Sequence, residues 1–100
     1  MVNIMLVCSA GMSTSLLVTK MKAEAEKLGV EAKIWASSEA EVRAAGLDAD
    51  IILLGPQVKY LEAKMKEQVQ NKIPVKVIDM MAYGTLNGKK VLEDALATIG

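Results

Sequence analysis

The feature that most constrains the fold is a regular alternation of short apolar runs with longer amphipathic segments. Four runs have the composition of strands, at residues 2–7, 31–36, 51–54 and 75–78. The intervals have helical periodicity, at about residues 14–28, 38–45, 58–70 and 87–99. Strict alternation with short connections predicts an α/β fold in which parallel strands are joined by right-handed crossovers. A chain of 100 residues fits one such domain, which we expect to span residues 1–100.

The composition of each strand predicts its place in the sheet. The first and third strands are almost uniformly apolar and belong in the centre. The second carries Lys33 and the fourth carries Lys76 in mid-strand, a common protection for an exposed edge. We therefore predict a doubly wound, four-stranded parallel sheet of order 2-1-3-4 with helices on both faces. In such a sheet, ligands bind at the carboxyl ends of the strands, here beside the switch between strands 1 and 3.

Local signals predict the helix ends and the residues of the core. Gly29 is expected to stop the first helix, and Asn87 to cap the last one. Ser38 and Glu41 have the spacing of a capping box. Since phenylalanine is absent, aliphatic side chains and the seven methionines must fill the core. The helical residues expected to face inward are Leu17, Met21, Ala25, Leu28, Val58, Leu61, Met65, Val69, Leu92, Ala95, Leu96 and Ile99.

Charge and residue content exclude several function classes. Lysine plus arginine equals aspartate plus glutamate, so no overall field attracts nucleic acid or an anionic membrane. No apolar run approaches the roughly 20 residues of a membrane span. A single cysteine and the absence of histidine exclude an internal disulfide, a Cys–His catalytic pair and a histidine-ligated metal. We expect a cytoplasmic monomer without metal, cofactor, nucleic acid or direct membrane insertion.

Cys8 follows the first strand, at the predicted switch point, and is the candidate nucleophile. The next residues are small and hydroxyl-rich and run directly into a helix: Ser9, Ala10, Gly11, Met12, Ser13, Thr14 and Ser15. Such a segment can direct several N–H groups at one point, and the helix N-terminus adds partial positive charge. These groups would lower the pKa of the thiol and hold an attached phosphate. The alternative interpretation of Cys8 is a small buried hydrophobe, because free cysteine is often buried.

The segment departs from better-known phosphate-binding patterns. It has neither the Gly-Lys-Ser/Thr ending of a nucleotide-binding loop nor the three spaced glycines of a dinucleotide fingerprint. Low-molecular-weight tyrosine phosphatases, which the predicted fold resembles, have an arginine six residues after the cysteine, where this chain has Thr14. Without a guanidinium clamp, phosphate could be accepted and held while its hydrolysis would be poorly assisted. That combination is typical of a phosphate carrier.

Several segments together resemble one known family. They are the first strand, residues 8–15 (CSAGMSTS) with Leu16-Leu17, residues 52–57 (ILLGPQ), residues 77–79 (VID), and Tyr83-Gly84. The sequence resembles the IIB components of the bacterial phosphoenolpyruvate-dependent sugar phosphotransferase system, in the lactose/cellobiose branch. The likeness is collinear over essentially the whole chain and is greatest to a cellobiose or diacetylchitobiose IIB subunit. It implies a single IIB domain of the lactose/cellobiose type (type 3).

The resemblance also implies an activity, that of the IIB subunit of a phosphohistidine–sugar phosphotransferase. Cys8 would take phosphate from a phosphohistidine on the cognate IIA protein and become a phosphocysteine. It would then pass the phosphoryl group to a β-linked disaccharide of the cellobiose, chitobiose or lactose type, during uptake through the membrane transporter IIC. Ser9 to Ser15 would form the phosphate-binding loop, mainly through backbone N–H groups. The protein would lie at the inner face of the membrane through IIC.

Gln57 and Asp79 are possible secondary site residues. Gln57 follows Gly55-Pro56 at the end of strand 3, where it either faces the phosphate or belongs to a tight strand-to-helix turn. Asp79 comes at the end of strand 4. A general acid could lie there, but the capping of a turn is the favoured interpretation of Asp79.

Three methionines and Tyr83 are predicted to share the same end of the sheet. Met12, Met80, Met81 and Tyr83 fall in segments predicted as loops, and together they are a candidate docking surface for IIA and IIC around Cys8. Methionine is also a common core filler, so burial is the expected fate of Met80 or Met81 taken singly. Tyr83 is a further possible secondary site residue.

Three other functions remain open on the sequence. The first is a phosphatase that uses the same loop, which Thr14 in the arginine position disfavours. The second is a receiver-like signalling domain, which would need a phosphoacceptor aspartate where this chain has Leu54-Gly55. The third is a non-catalytic interaction module in which Cys8 is inert.

Overall fold

A parallel sheet forms the centre of the protein. The computed structural model describes residues 1–7, 11–38, 41–42 and 46–99, and for residues 11–13 and 46 it describes the backbone only. The strands of this part of the chain are β1 (Val2–Val7), β2 (Ala32–Ser37), β3 (Ile51–Leu54) and β4 (Val75–Val77). Their order is β2-β1-β3-β4, as predicted. Only the edge strands differ from the predicted bounds, each by a single residue at its ends.

The strand register aligns the carboxyl ends of three neighbouring strands. Val7 of β1 lies opposite Leu54 of β3, which in turn lies opposite Val77 of β4. Beyond these residues the alignment continues, because the Gly55 N–H donates to the Val7 carbonyl at 3.0 Å and the Ile78 N–H donates to the Leu54 carbonyl at 2.8 Å. The segments that follow β1, β3 and β4 therefore start side by side at one edge of the sheet, the edge that is formed by the carboxyl ends of the strands.

Helical segments connect the strands. The described ones are α1 (Gly11–Leu28), a 3₁₀ turn (Gly46–Asp48), a 3₁₀ segment (Pro56–Leu61), α2 (Glu62–Gln68), α3 (Met80–Gly84) and α4 (Gly88–Ile99). Within the described ranges, no helix is both long enough and apolar enough to span a bilayer.

The third predicted helix, residues 58–70, is instead two segments with a kink between them. Pro56 opens the 3₁₀ segment, where a residue without an N–H is tolerated. Val58 then leaves helical geometry, with φ −119° and ψ 23°, and the regular α-helix begins only at Glu62. The inward periodicity survives the kink, because Val58, Leu61, Met65 and Val69 are all buried as predicted.

Most of the predicted helix ends are confirmed. The Asn87 Oδ1 accepts from the Lys90 N–H at 3.1 Å, so Asn87 caps α4. Gly29 follows α1 with φ +70°, a left-handed conformation that glycine adopts without steric cost. The Glu41 carboxylate reaches back to the Ser38 N–H at 3.4 Å, which is one half of the predicted capping box. The remainder of that predicted helix, at residues 39–40 and 43–45, lies outside the described residues.

The two faces of the sheet carry separate cores. On β1, Ile4 and Leu6 pack against α1 and α4, whereas Met5 and Val7 pack against α2 and the 3₁₀ segment before it. The same alternation holds on β3, where successive residues belong to opposite cores. Helices therefore cover both faces of the sheet, as predicted for a doubly wound fold.

Some residues predicted to be buried are exposed. Leu28 and Ile99 were expected on inward faces, but they are the last residues of α1 and α4 and are exposed. Met80 and Met81 were each expected in the core, yet 69% and 76% of their surfaces are exposed. Both lie in α3, a short helix that buries Ala82 instead, so the prediction of burial was wrong.

Candidate functional site

The connection that contains Cys8 joins the centre of the sheet to the start of α1. β1 ends at Val7 and α1 begins at Gly11, so the intervening connection is only residues 8–10. Cys8, Ser9 and Ala10, three of the predicted site residues, lie outside the described residues. The described residues on either side of this connection are the carboxyl end of β1 and the amino end of α1.

The remaining predicted loop residues belong to a helix. Gly11, Met12, Ser13, Thr14 and Ser15 form the first turns of α1, which begins three residues earlier than the sequence predicts. The first amides of an α-helix have no carbonyl partner within the helix, and they carry the positive end of its dipole. The first turn of α1 contains no acidic residue that would offset this charge. The amino end of α1 is therefore suited to a thiolate or a phosphate.

Thr14 lies at the point where α1 meets the segments that follow β3 and β4. Only 2% of its surface is exposed, and among the residues whose side chains are described it is the single buried polar one. The Thr14 Oγ1 lies 3.3 Å from the Tyr83 Oη, within hydrogen-bonding distance. Burial of a hydroxyl is costly unless it is hydrogen-bonded, so this contact stabilises Thr14 in its buried position.

Gln57 is the second residue that contacts Tyr83. Its Nε2 donates to the Tyr83 Oη at 3.0 Å. Gln57 lies in the 3₁₀ segment directly after β3, so the predicted tight turn after that strand is confirmed. The structure thus links two possible secondary site residues, Gln57 and Tyr83, to Thr14 of the predicted phosphate-binding segment.

Asp79 has a structural role that the sequence indicated. Its Oδ2 accepts from the Ala82 N–H at 3.0 Å, and Asp79 is the N-cap of α3. The favoured capping interpretation is confirmed. The helix itself was missed, since residues 80–84 were predicted as a loop. An aspartate followed by a helix of only five residues leaves little periodic signal.

Metal-binding side chains are not clustered in the described part of the chain. Within residues 1–7, 11–38, 41–42 and 46–99, no three acidic, cysteine or histidine side chains are placed to hold one ion.

Known proteins resemble this chain over nearly its full length. The family model described as "PTS system, Lactose/Cellobiose specific IIB subunit" matches residues 3–94. The oligo-beta-mannoside-specific EIIB component of Bacillus subtilis is 51% identical in an alignment 98 residues long, which covers 97% of this chain and 95% of that protein. The cellobiose-specific EIIB component of Lactococcus lactis is 41% identical, over 92% of this chain and 91% of the relative.

Solved structures show the same likeness. The cellobiose-specific phosphotransferase IIB component of Borrelia burgdorferi superimposes with a TM-score of 0.81 at 37% identity, covering 98% of this chain and 91% of that one. The lactose-specific IIB domain of Streptococcus pneumoniae shares the fold with a TM-score of 0.85 at 19% identity, over 96% of this chain and 95% of that one. The sequence match and the shared fold agree, and this chain belongs to the lactose/cellobiose-specific IIB subunits of the sugar phosphotransferase system.

Proposed function

We propose that Cys8 is the phosphoryl acceptor of this IIB component. The observation that carries the proposal is the position of Cys8 between the end of the central strand β1 and the amino end of α1. A helix amino end stabilises negative charge, so it would favour the thiolate over the thiol and would also bind the phosphoryl oxygens. The family membership supports the same role, because a IIB component transfers phosphate and this chain has no second cysteine and no histidine.

The reaction consists of two displacements at phosphorus. In the first, the Cys8 thiolate attacks the phosphorus of a phosphohistidine on IIA, an S–P bond forms and the P–N bond breaks. The imidazole leaves and takes up a proton. In the second, a sugar hydroxyl attacks the same phosphorus, the S–P bond breaks, the hydroxyl loses its proton, and the Cys8 thiolate is regenerated. Because this chain contains no histidine, the phosphohistidine must be supplied by another protein.

The residues Ser9 to Ser15 are proposed to bind the transferring phosphate, mainly through backbone N–H groups. Gly11 to Ser15 belong to α1, so their share of the binding would come from the first helical turn rather than from a loop. Thr14 occupies the position at which tyrosine phosphatases of similar fold have an arginine. A buried threonine supplies no cation to clamp the phosphoryl group, which supports transfer to a sugar over hydrolysis by water.

The sugar is proposed to be a β-linked disaccharide. Two relatives, at 51% and 41% identity, are named as specific for oligo-beta-mannosides and for cellobiose, which are β-linked sugars, and a third, also 41% identical, is named as galactose-specific. We therefore infer a substrate of the cellobiose, chitobiose or lactose type, taken up through the membrane transporter IIC. The protein would act in the cytoplasm as a monomer, at the inner face of the membrane through its contact with IIC.

The exposed methionines of α3 are proposed as a docking surface for IIA and IIC. Met80 and Met81 expose most of their surface on the helix that also carries Tyr83, at the edge of the sheet where β1 ends. Methionine is flexible and polarisable, so one surface can pack against two different partners in turn. Met12 is the third methionine of this proposed surface, although its side chain lies outside the described residues.

Reconstitution with phosphoenolpyruvate, the general phosphotransferase proteins and a candidate IIA would test the acceptor. We expect mass spectrometry to find one added phosphate on Cys8, and none on the Cys8→Ser variant. Phosphate that persists on that variant would place the acceptor elsewhere.

Two further experiments test the alternative functions. Incubation with a generic phosphomonoester distinguishes a carrier from a phosphatase, since multiple turnovers would contradict the carrier function. Alkylation of Cys8 at a series of pH values tests the alternative of an interaction module with an inert cysteine, because a thiol with an unshifted pKa, or one that does not react, would support that alternative.

A further inference from the structure

A chain of polar contacts joins the three segments that follow β1, β3 and β4. Gln57, after β3, donates to the hydroxyl of Tyr83, which follows β4. The same hydroxyl lies 3.3 Å from the Thr14 hydroxyl, in α1 after β1. These strands are direct neighbours in the sheet, so the contacts cross the edge at which β1 ends. Through Tyr83, these contacts connect α1 with the segments that follow β3 and β4.

Two polar contacts at its hydroxyl give Tyr83 a defined role. An amide nitrogen can only donate, so Gln57 uses a lone pair of the Tyr83 oxygen. The Tyr83 oxygen also contacts the Thr14 oxygen, and either hydroxyl can be the donor. At 3.3 Å this second bond is longer than the usual 2.7–2.8 Å between hydroxyls, so its contribution is modest. Gln57 orients the Tyr83 hydroxyl, and Tyr83 in turn restrains Thr14.

The backbone holds Tyr83 firmly enough for this role. The Tyr83 N–H donates to the Asp79 carbonyl at 2.9 Å, and the Tyr83 carbonyl accepts from the Leu86 N–H at 3.1 Å. The Asn87 N–H closes the turn on the Ala82 carbonyl at 2.8 Å, with Leu86 in the left-handed conformation at φ +54°. The ring itself packs against the core formed by α1 and α4. Tyr83 is therefore a fixed point relative to which α1 can be positioned.

We propose that Tyr83 is a positioning residue for phosphoryl transfer at Cys8. Its hydroxyl, oriented by Gln57, restrains Thr14 and with it the first turn of α1, whose amides face the transferring group. The inference rests on the proposed role of Cys8 as acceptor. A merely structural tyrosine would need only its ring, since the ring makes the core contact and the hydroxyl makes both polar contacts. The hydroxyl is therefore the part of Tyr83 that acts on the site.

The first test is the Tyr83→Phe variant, which keeps the ring and removes both hydrogen bonds. The measurement is the single-turnover rate of transfer from phosphorylated IIA over a range of IIA concentrations. We expect the limiting rate to fall about fivefold, the ratio that corresponds to one ordinary hydrogen bond, while the half-saturating IIA concentration stays the same. The apparent pKa of Cys8 from alkylation should rise, because less well-placed amides stabilise the thiolate less.

A matched control is Tyr60→Phe, which deletes the same atom from a tyrosine that is 74% exposed on the 3₁₀ segment. We expect its rate and its alkylation profile to equal those of the wild type. A Tyr83→Phe variant that also kept the wild-type rate and profile would overturn the inference. An equal loss of rate in Tyr83→Phe and Tyr60→Phe would also overturn the inference, because the loss would then not depend on the contact with Thr14.

The role of Gln57 is tested independently by Gln57→Met, a substitution at an exposed position that folding should tolerate. We expect a smaller fall in the limiting rate, about twofold, since Tyr83 keeps its contact with Thr14 but loses its orientation. The Gln57→Met/Tyr83→Phe double variant should be no slower than Tyr83→Phe alone, because Gln57 acts through Tyr83. Additive effects would contradict that order of action.

The outcome for the inference can be separated from that for the proposed function. If Cys8→Ser still accepts phosphate, the proposed acceptor is wrong, and the role of Tyr83 in transfer at Cys8 is wrong with it. If phosphate is found on Cys8 in the wild type and transfer by Tyr83→Phe is unchanged, only the role of Tyr83 is wrong. The free energy of unfolding of each variant, from urea titration, shows whether a slower rate comes from a fold that is no longer intact.

Discussion

Gly88 lies against the backbone of Lys20 so closely that a Cβ atom on Gly88 would be 2.7 Å from the Lys20 carbonyl carbon. The same atom would be 2.8 Å from the Met21 nitrogen. Both contacts involve backbone, which cannot turn aside as a side chain can. Gly88 is the first residue of α4, so the absence of a side chain allows α4 to cross α1 at this point. The packing of these two helices covers one face of the sheet.

We expect Gly88→Ala to destabilise the protein by about 1–3 kcal/mol, the usual cost of overpacking. The measurement is the free energy of unfolding from urea titration at constant m-value. Gly84→Ala is the matched control, since nothing lies within 4 Å of the added atom and alanine favours the helix. That variant should equal the wild type or exceed it by up to about 1 kcal/mol. Equal behaviour of the two variants would contradict the close contact.

Variants of Asp79 distinguish a role in capping α3 from a role in proton transfer. Asp79→Ala should lower stability by about 1 kcal/mol, because the Ala82 N–H loses its acceptor. Asparagine is also a good cap, so Asp79→Asn should keep both the stability and the rate of phosphoryl transfer. The measurements are urea unfolding and single-turnover transfer from IIA. A folded Asp79→Asn protein that transfers more than about tenfold more slowly would instead assign the carboxylate a chemical role.

The exposed methionines of α3 should matter for partner binding and hardly for stability. Met80→Gln and Met81→Gln keep the shape of the side chain and make it polar. We expect the half-saturating concentration of phosphorylated IIA to rise about fivefold in the double variant, with the unfolding free energy within about 0.5 kcal/mol of the wild type. Leu47→Gln is the control, since Leu47 is exposed in the 3₁₀ turn that precedes β3, at the opposite edge of the sheet. An equal rise for Leu47→Gln would contradict a specific surface.

Two methionines, one buried and one exposed, provide a test of how much burial in the core stabilises the protein. Met65 of α2 is fully buried, whereas Met81 is mostly exposed. Met65→Ala should cost about 2–5 kcal/mol, from the lost burial and the cavity that remains. Met81→Ala should change the free energy of unfolding by less than about 0.5 kcal/mol. Thermal and urea unfolding of both variants would check the difference, and similar losses would show that the assigned burial is wrong.

The strands and their order could be predicted because their signals are local. A strand that is buried on both faces must be apolar at every position, as in Ile51–Leu54, and an edge strand tolerates a lysine, as with Lys33 and Lys76. The caps at Asn87 and Asp79 depend on a side chain that bonds an amide three residues away, so they too can be found in the sequence. The start of α1 at Gly11 was missed, because small and hydroxyl-bearing residues have low helix propensity.

The sequence alone determined the α/β fold, the strand order, the position of Cys8 after the first strand and the family to which the chain belongs. Periodicity, caps and the residues around Cys8 depend only on neighbours along the chain. The tertiary structure decided which polar groups meet at this edge of the sheet. Tyr83 is 69 residues from Thr14 and 26 from Gln57, and the three come together because the register aligns Val7, Leu54 and Val77. Contacts between residues so far apart depend on that alignment, which no local pattern encodes.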